Sequence, residues 1–112
     1  MVEHELVNRR ASSRVAIHMP ATVTIASTDF DCVIENLSLG GAQVCCGLPV
    51  AMGEKLGLFF VLDGLREVID TTVIVRWRRS TELGVQFTGL RAREMWALGH
   101  FLRGSSPAAA SA

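Results

Sequence analysis

Apolar and polar positions alternate with period two through most of this chain. Val15, Ile17 and Met19 alternate with Ala16 and His18, and after Pro20 the pattern resumes with Ala21, Val23 and Ile25 against Thr22 and Thr24. Successive side chains of a strand point to opposite faces, so this is a half-buried strand. Its proline, lacking an N–H, marks a kink or an edge position. Ser27-Thr28-Asp29 supplies turn chemistry. Phe30, Cys32 and Ile34 form the inward face of a second strand; Asn36–Gly41 turns, and Ala42, Val44 and Cys46 form a third. Gly47-Leu48-Pro49 and Met52-Gly53 punctuate a loop. Leu56, Leu58, Phe60 and Leu62 alternate up to Asp63-Gly64, a strong hairpin signal. The return strand places Ile69, Thr71, Val73, Val75 and Trp77 on one face and Asp70, Thr72, Ile74, Arg76 and Arg78 on the other. Ser80-Thr81 turns, and Leu83, Val85 and Phe87 complete a sixth strand.

The period then changes. Leu90–Leu102 suits a short helix with one apolar stripe, weakened by Gly99, closing one end of the sheet. Short turns between six strands predict an all-β fold with a C-terminal helix: a six-stranded antiparallel barrel, because closure removes adhesive edges. Trp77 and Trp96 are expected in the core. Residues 1–14 lack strong periodicity and are expected to form a flexible N-terminal arm. Residues 15–103 make the barrel and helix, and the Ser/Ala/Pro-rich residues 104–112 a disordered tail.

Composition narrows the function. The chain has 112 residues and a formal charge of +0, which excludes wholesale electrostatic capture of DNA or anionic lipid. Its cations are ten Arg against one Lys, Lys55. Arg pairs bidentately with phosphate or guanine and stacks on flat rings, whereas Lys does neither. A GC-rich genome explains that ratio equally well, but it does not explain where the arginines cluster. Cys32, Cys45 and Cys46 lack metal-ligand spacing, and adjacent Cys45 and Cys46 on a strand point apart, so they make a poor disulfide pair. Three reduced thiols, and the lack of an apolar leader or a membrane-length apolar run, lead us to expect a cytoplasmic protein with no membrane insertion.

Little in the chain resembles catalytic machinery. His4, His18 and His100 are scattered, the carboxylates stand singly, and no Gly-x-x-x-x-Gly-Lys run is present. We expect no enzyme, no metal and no cofactor. Two motifs remain. The first is Arg9-Arg10-Ala11-Ser12-Ser13-Arg14. Arg10 and Arg14 lie roughly 6 Å apart in a helical turn and roughly 13 Å apart in an extended arm. Either spacing grips an anion, although a solvated basic arm, or one paired with Glu3, Glu5 or Glu35, accounts for it as well. The second is Asn36-Leu37-Ser38-Leu39-Gly40-Gly41. Asn36 and Ser38 point the same way if the strand continues, offering donors and acceptors. Gly40 and Gly41 would let the chain turn at positive φ and let a flat ligand approach the backbone. A turn that only satisfies its own backbone is the alternative.

Taken together, the two motifs resemble the PilZ family of cyclic di-GMP receptor domains. That family is recognised by Arg-x-x-x-Arg ahead of the first strand and by [Asp/Asn]-x-Ser-x-x-Gly in the barrel. Arg10-x-x-x-Arg14 and Asn36-x-Ser38-x-x-Gly41 fit both patterns, and residues 73–77 and 83–87 look like its late strands. The resemblance implies a PilZ-like β-barrel whose ligand is cyclic di-GMP. Arg10 and Arg14 would bind guanine or phosphate, with Asn36, Ser38, Gly40 and Gly41 on the barrel side. Arg9 precedes the motif, and in similar proteins a cation there accompanies an intercalated ligand dimer. The chain would then be an effector or adaptor that changes conformation on binding and signals to an unidentified downstream protein. Its pathway would be motility, exopolysaccharide or gene regulation, with a homodimer through the terminal helix as an option. The rival expectation is a PilZ-type interaction adapter that binds no nucleotide.

Overall fold

The computed structural model describes residues 14–62, 64 and 66–104. Most of the expected arm, including Arg9 and Arg10, and the tail from 105 on lie outside those residues. Six strands form: β1 (Val15–Ile25), β2 (Thr28–Leu37), β3 (Gly41–Cys45), β4 (Lys55–Leu62), β5 (Glu67–Arg79) and β6 (Glu82–Phe87). They close into an antiparallel barrel in the order β1-β2-β3-β6-β5-β4. Among the described residues one helix, α1 (Ala92–Gly104), follows, beginning and ending slightly later than its apolar stripe predicts.

The alternation in sequence becomes inside and outside. Val23, Ile34, Leu58, Phe60, Ile69, Val73, Val75 and Leu83 are almost fully buried within the barrel. Each such side chain removed from water contributes about 1.5–3 kcal/mol. Ala97 and Leu98 of α1 join the same core and seal one end, against β4 and β5. Pro20 sits where β1 is paired with Val33 of β2 but not with β4, which contacts only Thr22–Thr24. Its missing N–H therefore costs no ladder bond.

Some local expectations change. The first hairpin turns at Ala26–Ser27, one residue earlier than expected, with Ile25 opposite Thr28. Both turn residues have positive φ, 49° and 70°, which makes a two-residue turn matched to strand twist without any glycine. Gly40 and Gly41 do not have positive φ; Gly47, Gly53 and Gly64 do. Trp96 is not core: it is 58% exposed, and its ring sits tilted beside that of His100, centroids 5.3 Å apart, one turn along the helix. Trp77 is not inside the barrel either, for a reason that lies in the register.

Three ladders slip by bulges: β1–β2 between Ala16 and Met19, β2–β3 between Ile34 and Asn36, and β5–β6 between Val75 and Trp77. An extra residue on one strand reverses the facing of the residues beyond it. In β5, Val75 faces inward opposite Val85, yet Trp77 lies opposite Gly84 and faces outward. In β2, Ile34 is buried and so is Leu37, while Asn36 between them turns outward opposite Gln43.

Candidate functional site

The bulges align one row of outward residues across the barrel wall: Ala16, Asn36, Gln43, Gly84 and Trp77. Asn36 Nδ2 donates to Gln43 Oε1 at 3.0 Å, so the Asn36 side chain is engaged with its neighbour in this row. Gly84 is required by Trp77, because a Cβ there would run into the indole. The indole thus lies flat against the wall, and the Arg79 guanidinium sits 5.4 Å from its ring centre, within cation–π range.

The next row holds the turn. Ser38 is buried, and its backbone N–H donates to the Gly41 carbonyl at 2.9 Å. Its Oγ accepts from the N–H groups of Gly40 and Gly41, both at 3.2 Å. The serine therefore fixes the loop between β2 and β3. Gly41 meets the Val85 carbonyl where β3 crosses β6, with no room for a Cβ. Gly40 is different. Its carbonyl accepts from Phe87 N–H at 2.9 Å, but nothing lies within 4 Å of where its Cβ would be.

These residues surround an open depression of about 280 Å³ on the outside of the barrel. Arg14, Ser38, Gly40 and Gly41 line it, together with Gln43, Arg76, Trp77 and Gly84. Arg76 Nε donates to Gln86 Oε1 at 2.6 Å, and Gln86 stands opposite Gly41. Among the described residues, neither Arg14 nor Arg76 is in a salt bridge with a carboxylate. The site thus offers two exposed guanidinium groups, a flat aromatic wall and a bare stretch of backbone. That combination suits a planar anion: guanidinium forks hold phosphate or a purine edge, and the indole stacks.

Of the seven residues singled out in the sequence, four converge here. Asn36 sits next to the depression, behind Gln43, and Arg9 and Arg10 lie outside the described residues. Sequence reasoning misses Gln43, Trp77 and Gly84 as site residues, and it puts Arg76 on the face opposite Trp77, whereas both line the same depression. The signal for Trp77 and Gly84 is a large ring paired with a residue that has no side chain, visible only once the bulge is placed. No helix among the described residues is long and apolar enough to cross a membrane.

The family profile of the PilZ domain matches residues 8–104. No curated protein matches the chain. Solved structures with the same fold include the Bacillus subtilis inhibitor of motility MotI/DgrA, with 21% identity and a TM-score of 0.73; the match covers 86% of this chain and 51% of that one. The PilZ domain of Escherichia coli YcgR with c-di-GMP matches at 14% identity and a TM-score of 0.73, covering 90% and 94%. The Borreliella burgdorferi PlzA protein in complex with c-di-GMP matches at 17% identity and a TM-score of 0.64, covering 89% and 44%. This chain therefore spans only about half the length of the Bacillus subtilis protein. With the profile spanning the whole of the described barrel and helix, the chain belongs to the PilZ domain family.

Proposed function

We propose that this chain is a receptor for cyclic di-GMP that binds the nucleotide between its Arg9–Arg14 arm and the outer wall of the barrel. The observation that carries this reading is the convergence of Arg14, Ser38, Gly40 and Gly41 with Arg76 and Trp77 on one depression. The YcgR and PlzA structures of the same fold hold c-di-GMP. At about 280 Å³ the depression is smaller than the usual range, roughly 300–1,000 Å³ for small-molecule sites. In this reading the residues that precede Arg14 in sequence supply a further wall when the nucleotide binds.

Arg10 and Arg14 clamp guanine or phosphate, and Arg9 reaches a second ligand where two intercalate. Ser38 holds the turn in shape, and Gly40 presents open backbone to the ligand. Asn36 acts through Gln43, keeping that side chain at the rim. The dianionic ligand offsets repulsion among the arginines, so binding draws the arm onto the wall. The closed arm is a new surface, and a downstream protein reads it. The chain carries out no catalysis and needs no cofactor.

Calorimetric titration with cyclic di-GMP, GMP and cyclic AMP tests this. Selective binding at micromolar concentration or tighter is expected for cyclic di-GMP. Arg14→Ala is expected to weaken it by roughly 10- to 150-fold, about 1.5–3 kcal/mol for a charged hydrogen-bond pair. Equal affinity in the wild type and Arg14→Ala would remove Arg14 from the site, and no binding at all would favour the adapter alternative.

A further inference from the structure

The β2–β3 hairpin carries three free thiols that the nucleotide site does not use. Cys32 is buried in β2, Cys45 ends β3 and Cys46 follows it. Val33 pairs with Cys45, so one step further Cys32 stands opposite Cys46. Both point inward: Cys32 belongs to the core, and Cys46 packs against it. Cys45 points outward, with its Sγ 3.7 Å from Thr81 Oγ1.

Backbone hydrogen bonds fix the kind of pair. Ile25 and Thr28 flank a two-residue turn, and such a pair exchanges both N–H···O bonds. Counting back in alternation, Ala21 and Cys32 do the same, which turns the backbone of Cys32 toward β1. Cys46 N–H donates to the Thr81 carbonyl at 3.0 Å, which turns it toward β6. Neither backbone faces the other, so Cys32 and Cys46 form a non-hydrogen-bonded antiparallel pair. In such pairs the Cα atoms are about 4.5 Å apart and the side chains approach most closely. That falls within the span of about 4.4–6.8 Å that a disulfide bridges. An open groove of about 410 Å³, lined by all three cysteines and Thr81, gives solutes access.

We propose that Cys32 and Cys46 close a cross-strand disulfide when hydrogen peroxide oxidises them, clamping the hairpin beneath the Asn36–Gly41 turn. Cys46 is the more exposed of the two thiols; burial raises its pKa, and the Leu48 backbone N–H at its sulfur opposes that rise only in part. Burial, then the neighbouring Cys46, pushes the Cys32 thiol up to about 12, so Cys32 is not the first to react. The Cys46 sulfur attacks one peroxide oxygen. The S–O bond forms, the O–O bond breaks, and one water leaves. The Cys32 sulfur then attacks the Cys46 sulfenic acid, and the departing hydroxide takes the Cys32 proton as a second water. Two thiols lose two electrons and one peroxide gains them. The bridge closes a loop of about 15 residues, which restrains the unfolded chain. It holds whether or not the hairpin tip binds a nucleotide.

Peptide mapping of the full chain treated with hydrogen peroxide and then alkylated tests the pairing. Cleavage after Glu35 separates Cys32 from Cys45 and Cys46. We expect the two peptides to stay joined until reduced, in the wild type and in Cys45→Ala, and to separate in Cys46→Ala. Cys46→Ser replaces the last variant if it melts near the assay temperature. The oxidised wild type is expected to melt at least about 5 °C above the reduced form. A bridge that survives in Cys46→Ala, bridges between molecules only, or unlinked sulfinic acid on Cys46 would overturn the pairing. An unchanged melting temperature would overturn the clamp.

Discussion

Gly40 and Gly41 stand side by side at the hairpin tip for unlike reasons. Gly41 has no room for a Cβ because the Val85 carbonyl of β6 lies against it. Gly40 has open space and an ordinary φ, so the fold places no demand on it. The two alanine variants separate scaffold from recognition. Gly41→Ala is expected to cost about 1–3 kcal/mol of stability through overpacking, read as a lowered melting temperature. Gly40→Ala is expected to stay within about 0.5 kcal/mol of wild type while weakening cyclic di-GMP binding, because its methyl group occupies the backbone face offered to the ligand. Normal affinity in a stable Gly40→Ala protein would take Gly40 out of the pocket. Ser38 also has a double aspect: its hydroxyl is already committed to the Gly40 and Gly41 N–H groups, so its replacement acts through the shape of the turn.

Among the elements, α1 is joined to β5 by two carboxylates: Glu67 of β5 accepts from Arg93 Nη2 at 2.8 Å, and Glu94 of the helix reaches the β5 backbone. Glu94 is 4% exposed and accepts from the backbone N–H of Arg91 at 2.9 Å, from the Arg91 guanidinium, and from the backbone N–H of Asp70 in β5 at 3.0 Å. The bond to Arg91 N–H is half of a capping box, and the bond to Asp70 joins helix to sheet. Hydrogen bonding from the Arg91 side chain outweighs the opposing effect of burial and, with the two backbone N–H groups, holds the carboxyl at about 2. A lowered pKa stabilises the native state fully above the ordinary value of 4.5, and that contribution fades as pH falls toward 2. Thermal melts from about pH 6 downward should therefore lose stability over that window, and Glu94→Gln should flatten the profile while costing roughly 1.5–3 kcal/mol at neutral pH. A profile in Glu94→Gln as steep as the wild type's would assign the acid sensitivity to other groups. Period-two runs made all six strands legible in sequence, and the change of period marked α1. Glu94 was not legible, because its partner on Asp70 is 24 residues away. The Ala26–Ser27 turn was hidden for a related reason: its positive φ values come from the pairing of β1 with β2 and not from glycine.

Across the whole molecule, closure is uneven. The β4–β5 ladder pairs eight residues of each strand, whereas β1 meets β4 only at Thr22, Val23 and Thr24. Gly57 permits that approach, since a Cβ there would press on Thr24 at 3.2 Å. By the alternation that begins at Ile25 and Thr28, the N–H groups of Thr22 and Thr24 face β4. A short seam is the cheapest place for a closed barrel to open. In native-state hydrogen exchange, Thr22 and Thr24 are expected to exchange before Thr71 and Ile69 in the middle of β5. Equal protection at both places would make the barrel a single cooperative unit.

The displaced count in β5 has a consequence for how such a surface arises. Between Val75 and Trp77 one extra residue, Arg76, separates a side chain that feeds the core from one that lies on the exterior. Were the same residues to run as a plain ladder without the bulge, the two-step rhythm would swing the indole to the face of Val75, into an interior already filled by Phe60 and Val73. A one-codon deletion of Arg76 would restore plain pairing with the indole still opposite Gly84, and would cost the surface a guanidinium while sparing its aromatic platform.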